Sequence, residues 1–402
     1  MSWLDKIHAE HADWALIGAV QSEHPDFSKA DYAKIGAENA LGKIGLEMEI
    51  GKENTEEEEK HRKITEKKNQ TMEKSPEMKV VRLSELKERP ERLFSTEQMG
   101  LLSDKLLSRH AARLQDGFVL TVPAGKDAGE IIIRSEAEAG SALHHVFILE
   151  KGAKARIVLE AGAGLKNGRD DSPALHTDLT EAFLGEDSNL SLTTIQDYPA
   201  KDLAFSHYFH TLGKFAKLSH TAASFGASLS RTRAVNHLQG VRAHADSYQI
   251  FAGGRERKMD LGALTHHAVP DTGGKMTCRG ALSGACIGIY KGKIRIDRAG
   301  ADTVSHQSGS ALLLSPRAKA FIIPALEVEN NQVEAGHGAS IGGLDGQEMT
   351  YLRSRGLSEE EAKRLLLKGF FDSLIDKNES PAARRMLEEK LAQKEEELSS
   401  GT

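Results

Sequence analysis

Short alternating segments, each following a turn with glycine or charge, run through the middle of the chain: "HHVFILEKGAKARIVLEAG", "LGEDSNLSLTTIQDY", "HTLGKFAKLSHTAASFG", "LQGVRAHADSYQIFAGG" and "YKGKIRIDRAGADTV". Each reads as a short strand, and several show period-two alternation. Small residues return on alternate positions, at Ala153 and Ala155, Ala216 and Leu218, Ala243 and Ala245, Ala318 and Ala320. A closed barrel calls for bulkier inward filling, and a doubly wound sheet needs helices between its strands; the segments suggest neither. The pattern predicts a stacked parallel β-solenoid, mainly β. In such a coil each rung buries its inward face only against the rungs above and below, so small and β-branched side chains stack while polar turns face water.

The flanks are different. From "GKENTEEEEKHRKITEKKNQTMEKSPEMK" to "VVRLSELKERPERLF" glutamate and lysine dominate, giving a segment with little to bury: a solvated helix, a linker or a partner-recognition tail. Ahead of it, "HADWALIGAV" and "ADYAKIGAENALGKIGLEM" have helix-compatible spacing. After Gly343, "GQEMTYLRSRG" reads as a short helix closed by Gly356, and Ser358 with Glu361 forms a capping box for a second helix. That helix carries an apolar stripe of Ala362, Leu365, Leu366, Gly369, Phe370 and Leu374, suited to packing on the solenoid or to receiving a partner. Pro381 starts a last charged helix, expected to fray into solvent. The expected division is a charged helical region over 1–113, a β-helix over 114–345 and a helical region over 346–402.

Bulk properties exclude several classes. The formal charge of −6 is not the basic footprint that nucleic acid demands. The N-terminal stretch is broken by Asp5, Lys6, His8, Glu10 and Asp13, well short of a membrane span, so a soluble cytoplasmic chain is expected. Cys278 and Cys286 are the sole cysteines, eight residues apart with no CxxC element, which favours a reducing compartment and apolar packing of both. No GxxxxGK[ST], HExxH or dinucleotide fingerprint occurs, so the chain is not expected to be the ATPase of any complex it joins.

Histidine is plentiful at seventeen residues, including the pairs His144–His145 and His266–His267. On a strand each pair offers at most one inward ring. In "NQVEAGHGASIGGLD", His337 stands between two glycines with Glu334 just ahead. Two readings stay open from the residues alone: a ring presented to a metal or a neighbouring subunit, or a histidine at a tight corner.

The run "LLLSPRAKAFIIPALEVENNQVEAGHGASIGGLDGQEMTYLRSRGLSEEEAKRLL", with "RAGADTVSHQSGSALLLS" before it, resembles the C-terminal half of the SufB/SufD family, scaffolds of the SUF iron–sulfur cluster assembly system. The carrying elements are the "LLLS" rung ending, the "PALEV" turn, "HGAS", "GGLD" and "YLRSRG"; with "SALHHVFILEKGAKARIVLE" the likeness covers roughly residues 140 to 376. It implies a right-handed parallel β-helix with helical regions at both ends, paired with a second copy or a SufB-like chain. It implies further that the C-terminal helices dock a SufC-like ABC ATPase, and that His337 lies at the scaffold interface where a transient iron–sulfur cluster assembles.

The departures bear on the branch. The SufB branch has a cysteine a few residues before its turn and a glutamate directly after the signature histidine, where this chain has Ala318 or a neighbour and Gly338. SufD-like proteins often carry a cysteine shortly before the histidine; here it is Ala335. Clusters are held by several thiolates, so the sparse cysteines favour a SufD-like, non-catalytic scaffold over a homodimeric SufB-type scaffold holding the cluster itself. A solenoid enzyme acting on polysaccharide is a remote third reading, since it wants exposed aromatics and clustered acids along a groove. The residues expected to meet the ATPase are Arg353, Arg355, Leu365, Phe370 and Leu374, with Lys363 and Arg364 beside them for steering.

Overall fold

The computed structural model describes residues 44–51, 62–64, 78–86, 88, 92–94, 105–137, 140–162 and 172–399. In chain order the first strands are β1 (Ile44–Gly51), β2 (Arg62–Ile64), β3 (Lys79–Arg82), β4 (Asp116–Val122), β5 (Asp127–Ala137), β6 (Ser141–Leu149), β7 (Lys154–Ala161), β8 (Leu175–Leu184) and β9 (Asn189–Gln196). There follow β10 (Leu203–Leu212), β11 (Lys217–Ser224), β12 (Leu229–Leu238), β13 (His244–Gly253), β14 (Lys258–His267), β15 (Gly273–Leu282), β16 (Ile287–Ile296), β17 (Thr303–Leu313), β18 (Lys319–Val328) and β19 (Val333–Gly342). The helices are α1 (Lys105–Arg113), α2 (Gly346–Ser354), α3 (Glu359–Ile375) and α4 (Pro381–Ser399).

From β4 on, successive strands alternate between two sheets, odd strands in sheet A and even strands in sheet B. From β6 to β17 each pairs in parallel with the strand two before and two after it: Leu203 of β10 lies opposite Leu175 of β8 and Leu229 of β12. The chain is therefore a β-solenoid with a repeat of roughly 30 residues, and strand-to-strand alternation sends every second side chain into the lumen. At the N-terminal end β1 runs antiparallel to β2 and β5, and β3 antiparallel to β4. The helical expectation at residues 11–20 lies outside the described residues. The one reaching residue 48 is corrected at its end, where Ile44–Gly51 pairs along β5 as a strand.

The lumen differs from the small-residue interior expected. The alanines are there, with Ala153, Ala216, Ala243 and Ala245 fully buried, and Ala245 lies in register with Leu218. Between them stack Leu120, Phe147, Ile157, Leu190 and Leu218, and further along Phe251, Met259, Met276 and Tyr290. Large inward residues fit because the two sheets face each other like a sandwich rather than closing a narrow tube. Part of the lumen is polar and laddered across rungs: His210 pairs in register with Asn236, and Asn236 with Thr265. His210 Nδ1 lies 2.8 Å from Asn236 Oδ1, and Asn236 Nδ2 donates to Thr265 Oγ1 at 3.2 Å. Burial holds the His210 ring down at about 4, so it is neutral at pH 7.

Both outer faces are covered in part. On sheet B, α1 sets Leu107, Ala111 and the following Leu114 against Val146, Leu179, Phe183 and Phe209. On sheet A, α3 and α4 bury Leu367, Phe371, Leu374, Ala383, Met386 and Leu387 against Val158, Ile195, Ala223 and Ile250. The capping box at Ser358 and Glu361 is formed, and Gly356, at φ +97°, ends the preceding helical segment.

The charged α4 does not fray. Lys390 and Lys394 reach Asp197 at 3.1 and 2.8 Å, Ser380 Oγ donates to Glu130 at 2.6 Å, and Asn378 Nδ2 donates to Thr193 at 2.6 Å. Lys390, Lys394 and Glu397 find partners on the strands and their turns, so part of what reads in sequence as a solvated helix is a strap lying along the rungs. Replacing Phe371, 2 % exposed in that seam, with alanine should cost about 3–5 kcal/mol of stability by lost transfer and cavity formation. Urea denaturation followed by far-UV circular dichroism checks this.

Candidate functional site

Within a solenoid each rung covers the next, and the last one has nothing above it. Here that rung is β18 and β19, the edge strands at one end of sheets B and A. Its side chains are correspondingly exposed: Ile323 is 42 %, Val328 40 % and Ile341 46 % accessible. The positions in register with Val328 and Ile341 one rung down, Ile296 and Ala311, are buried.

His337 stands on β19 opposite Gln307 of β17, a buried inward residue, so it shares the inward register at the open mouth of the lumen. It is exposed only because the rung is terminal. Glu334 does not face it: that carboxylate is on the outward register, 3.4 Å from His306 Nε2. The flanking glycines have separate reasons. A β-carbon on Gly336 would come within 3.1 Å of the His306 ring, whereas one on Gly338 would meet nothing within 4 Å. Gly338 thus leaves the outer surface of β19 bare.

No thiol joins the ring. Cys278 faces the lumen on β15 and Cys286 precedes β16, both fully buried in the apolar cluster with Met259 and Tyr290. Burial raises the Cys278 thiol well above its usual range and pushes Cys286 up to about 12. Among the described residues no three of His, Cys, Asp and Glu converge to hold a metal. Of the paired histidines, His144 faces outward, where its Nε2 lies 3.0 Å from buried Glu181, while His145 faces the lumen and burial pulls it down to about 3. His267 is likewise inward and His266 outward, stacked on His237.

Beside the open rung lies a groove of about 790 Å³ lined by Leu312, Leu344, Tyr351, Leu352, Leu365 and Phe370. Gly343, directly after β19, also lines it, so groove and rung are contiguous. The expected partner-facing residues divide. Leu365 is 48 % exposed and Phe370 lines the groove, with its ring 4.8 Å under the Arg279 guanidinium. Arg353 and Arg355 are exposed at the end of α2, Arg355 over the Tyr351 ring. Leu374 is 1 % exposed and packs on sheet A, because the core-facing stripe of α3 is Ala362, Leu367, Phe371, Leu374 and Ile375. Sequence reasoning missed Tyr351, 56 % exposed, and the apolar edge residues Leu326 and Ile341. The signal for Leu326 and Ile341 was their place on the last strands before Gly343, where the helical pattern begins and no further rung covers them.

No helix among the described residues is long and apolar enough to cross a membrane. A family model described as SUF system FeS cluster assembly, SufBD core domain, matches residues 131–370. An iron–sulfur cluster assembly SufBD family protein of Pyrococcus horikoshii is 29 % identical over 60 % of this chain and 52 % of its own length. A SufBD family protein of Mycobacterium tuberculosis is 24 % identical over 72 % of this chain and 73 % of its own. The iron–sulfur cluster assembly protein SufD of Bacillus subtilis is 22 % identical over 72 % of this chain and 66 % of its own. The chain spans about half the length of the Pyrococcus relative.

The buried thiols give a direct check of the site's composition. Iodoacetamide at pH 8 should leave Cys278 and Cys286 unmodified in the folded protein and alkylate both in urea, as read by intact mass.

Proposed function

Because the chain belongs to the SufB/SufD core family of the SUF iron–sulfur cluster assembly system, we propose that it works there as a non-catalytic, SufD-like scaffold subunit. It pairs through its open last rung with a SufB-like chain or a second copy, and it docks a SufC-like ABC ATPase in the helical groove. The observation that carries this reading is the uncapped pair β18 and β19. Unpaired N–H and C=O groups alongside exposed Ile323, Leu326, Val328 and Ile341 form a surface that a second sheet can satisfy and cover.

His337 lies on that surface, and a neutral imidazole is a good borderline ligand. The nascent cluster is cargo; its thiolates come from the partner, since both cysteines of this chain are buried away from the rung. The same burial weighs against the SufB-type alternative, in which this chain would hold the cluster by itself. The groove supports the second contact: exposed Tyr351 and Leu365 give apolar area, and Arg353 and Arg355 give steering charge.

Co-purification from cells expressing this chain with SufB-like and SufC-like partners separates the two surfaces. Leu326→Asp with Ile341→Asp should lose the scaffold partner and keep the ATPase; Tyr351→Ala with Leu365→Asp should do the reverse. Retention of both partners by both variants refutes the assignment. His337→Ala should leave melting nearly unchanged, within about 1 kcal/mol for an exposed position, while iron–sulfur enzyme activity in the cell falls. A stable variant with full maturation activity would remove His337 from the site.

A further inference from the structure

The layer directly beneath His337 holds a polar group that scaffold pairing does not explain. Gln307 is 3 % exposed on β17, opposite His337 in register. Its Nε2 donates to the carbonyl oxygen of Ala325 on β18 at 2.8 Å, while its Oε1 is buried and accepts no hydrogen bond. The opposite amide orientation would set two oxygens face to face, so the Ala325 contact fixes which end is the free acceptor.

The fold makes room for this amide. A β-carbon on Gly292 would fall 2.3 Å from Gln307 Oε1 and 2.9 Å from Tyr290 Oη. One on Gly309 would fall 2.5 Å from Ile322 Cγ2. Two glycines thus open the lumen where the amide lies across it, and a buried acceptor left without a donor is costly enough to call for one.

The last rung offers a single candidate. Its inward positions are Ala320, Ile322, Pro324, Leu326 and Val328 on β18, and Val333, Ala335, His337, Ala339 and Ile341 on β19. Of these side chains the His337 ring alone can donate a hydrogen bond, and adjacent strands lie about 4.8 Å apart, within reach of an amide and an imidazole.

We propose that Gln307 is the positioning residue of His337: its Oε1 takes the N–H of one ring nitrogen, fixes the tautomer, and leaves the lone pair of the other directed out of the mouth. A turn of the exposed ring closes the bond. The purpose of this arrangement rests on the reading of His337 as an interface ligand, since an outer partner that orients a ligating imidazole tunes both its direction and its basicity; the geometry does not rest on it.

The test is heteronuclear NMR of the full chain labelled at histidine, with the His337 signals identified by their loss in His337→Ala. The unsubstituted protein should show His337 in one dominant tautomer above its titration midpoint. Gln307→Met, which keeps the length and removes the acceptor, should abolish that bias. Gln307→Glu should raise the His337 midpoint by about one pH unit, because a facing carboxylate favours the imidazolium. A residue that only filled space would move neither signal. Unchanged His337 signals in both variants, with native far-UV spectra, overturn the proposal. Should both fail to fold, the parent spectrum decides, and a tautomer mixture like that of free histidine overturns it as well. Shifted signals together with full maturation activity in His337→Ala uphold the positioning role and reject the ligand role.

Discussion

Every rung of this solenoid depends on the one beside it for its backbone hydrogen bonds and for the cover of its inward side chains. That constraint makes the interior strands secure and concentrates unmet demand at the last rung. The inward row Ser247, Met276, Gln307 and His337 shows the gradient: the first three are buried, and the fourth, in the same register, is exposed. A repeating architecture thus leaves its inward face uncovered simply by stopping.

The side faces of the coil meet a different demand. Sheet A would expose Val158, Ile195, Ala223 and Ile250 without the C-terminal helices, and α4 is held over them by charge as well as apolar contact. Lys390 bridges Glu160 and Asp197 at 3.2 and 3.1 Å, and Arg257 meets Glu397 at 3.1 Å from a later rung. The Asp197 carboxylate pays a desolvation cost on burial, yet Lys394 and Lys390 hold it below its usual range. Such contacts tie strands far apart in sequence to one helix, and the groove between α2 and α3 lies beside the open rung on that packed layer. Arg279 adds a direct link from β15 to the Phe370 carbonyl at the groove's rim.

The solenoid was legible before any coordinates, because a period of two with a turn every few residues is a local property of the chain. The capping box at Ser358, the stop at Gly356 and the burial of both cysteines were legible for the same reason. What misled was any pattern whose meaning depends on a distant neighbour. The lysines and glutamates of α4 look solvated in sequence, yet their counter-charges lie on β7, in the turn after β9 and on the approach to β14. Leu374 and Leu365 fall in one helical stripe by spacing, but sheet A takes the first and leaves the second at the groove.

The sequence by itself determined that the chain stacks short parallel strands, that it brings few thiols to any chemistry, and that His337 sits in a glycine-flanked segment resembling the SufB/SufD scaffolds. Only the tertiary structure decided that His337 faces inward at an open rung, above an amide with a free acceptor, while Glu334 turns away to His306. The reason is physical: facing and exposure on a strand are set by register against the neighbouring rung, and register is a relation between residues about thirty positions apart that no local pattern encodes.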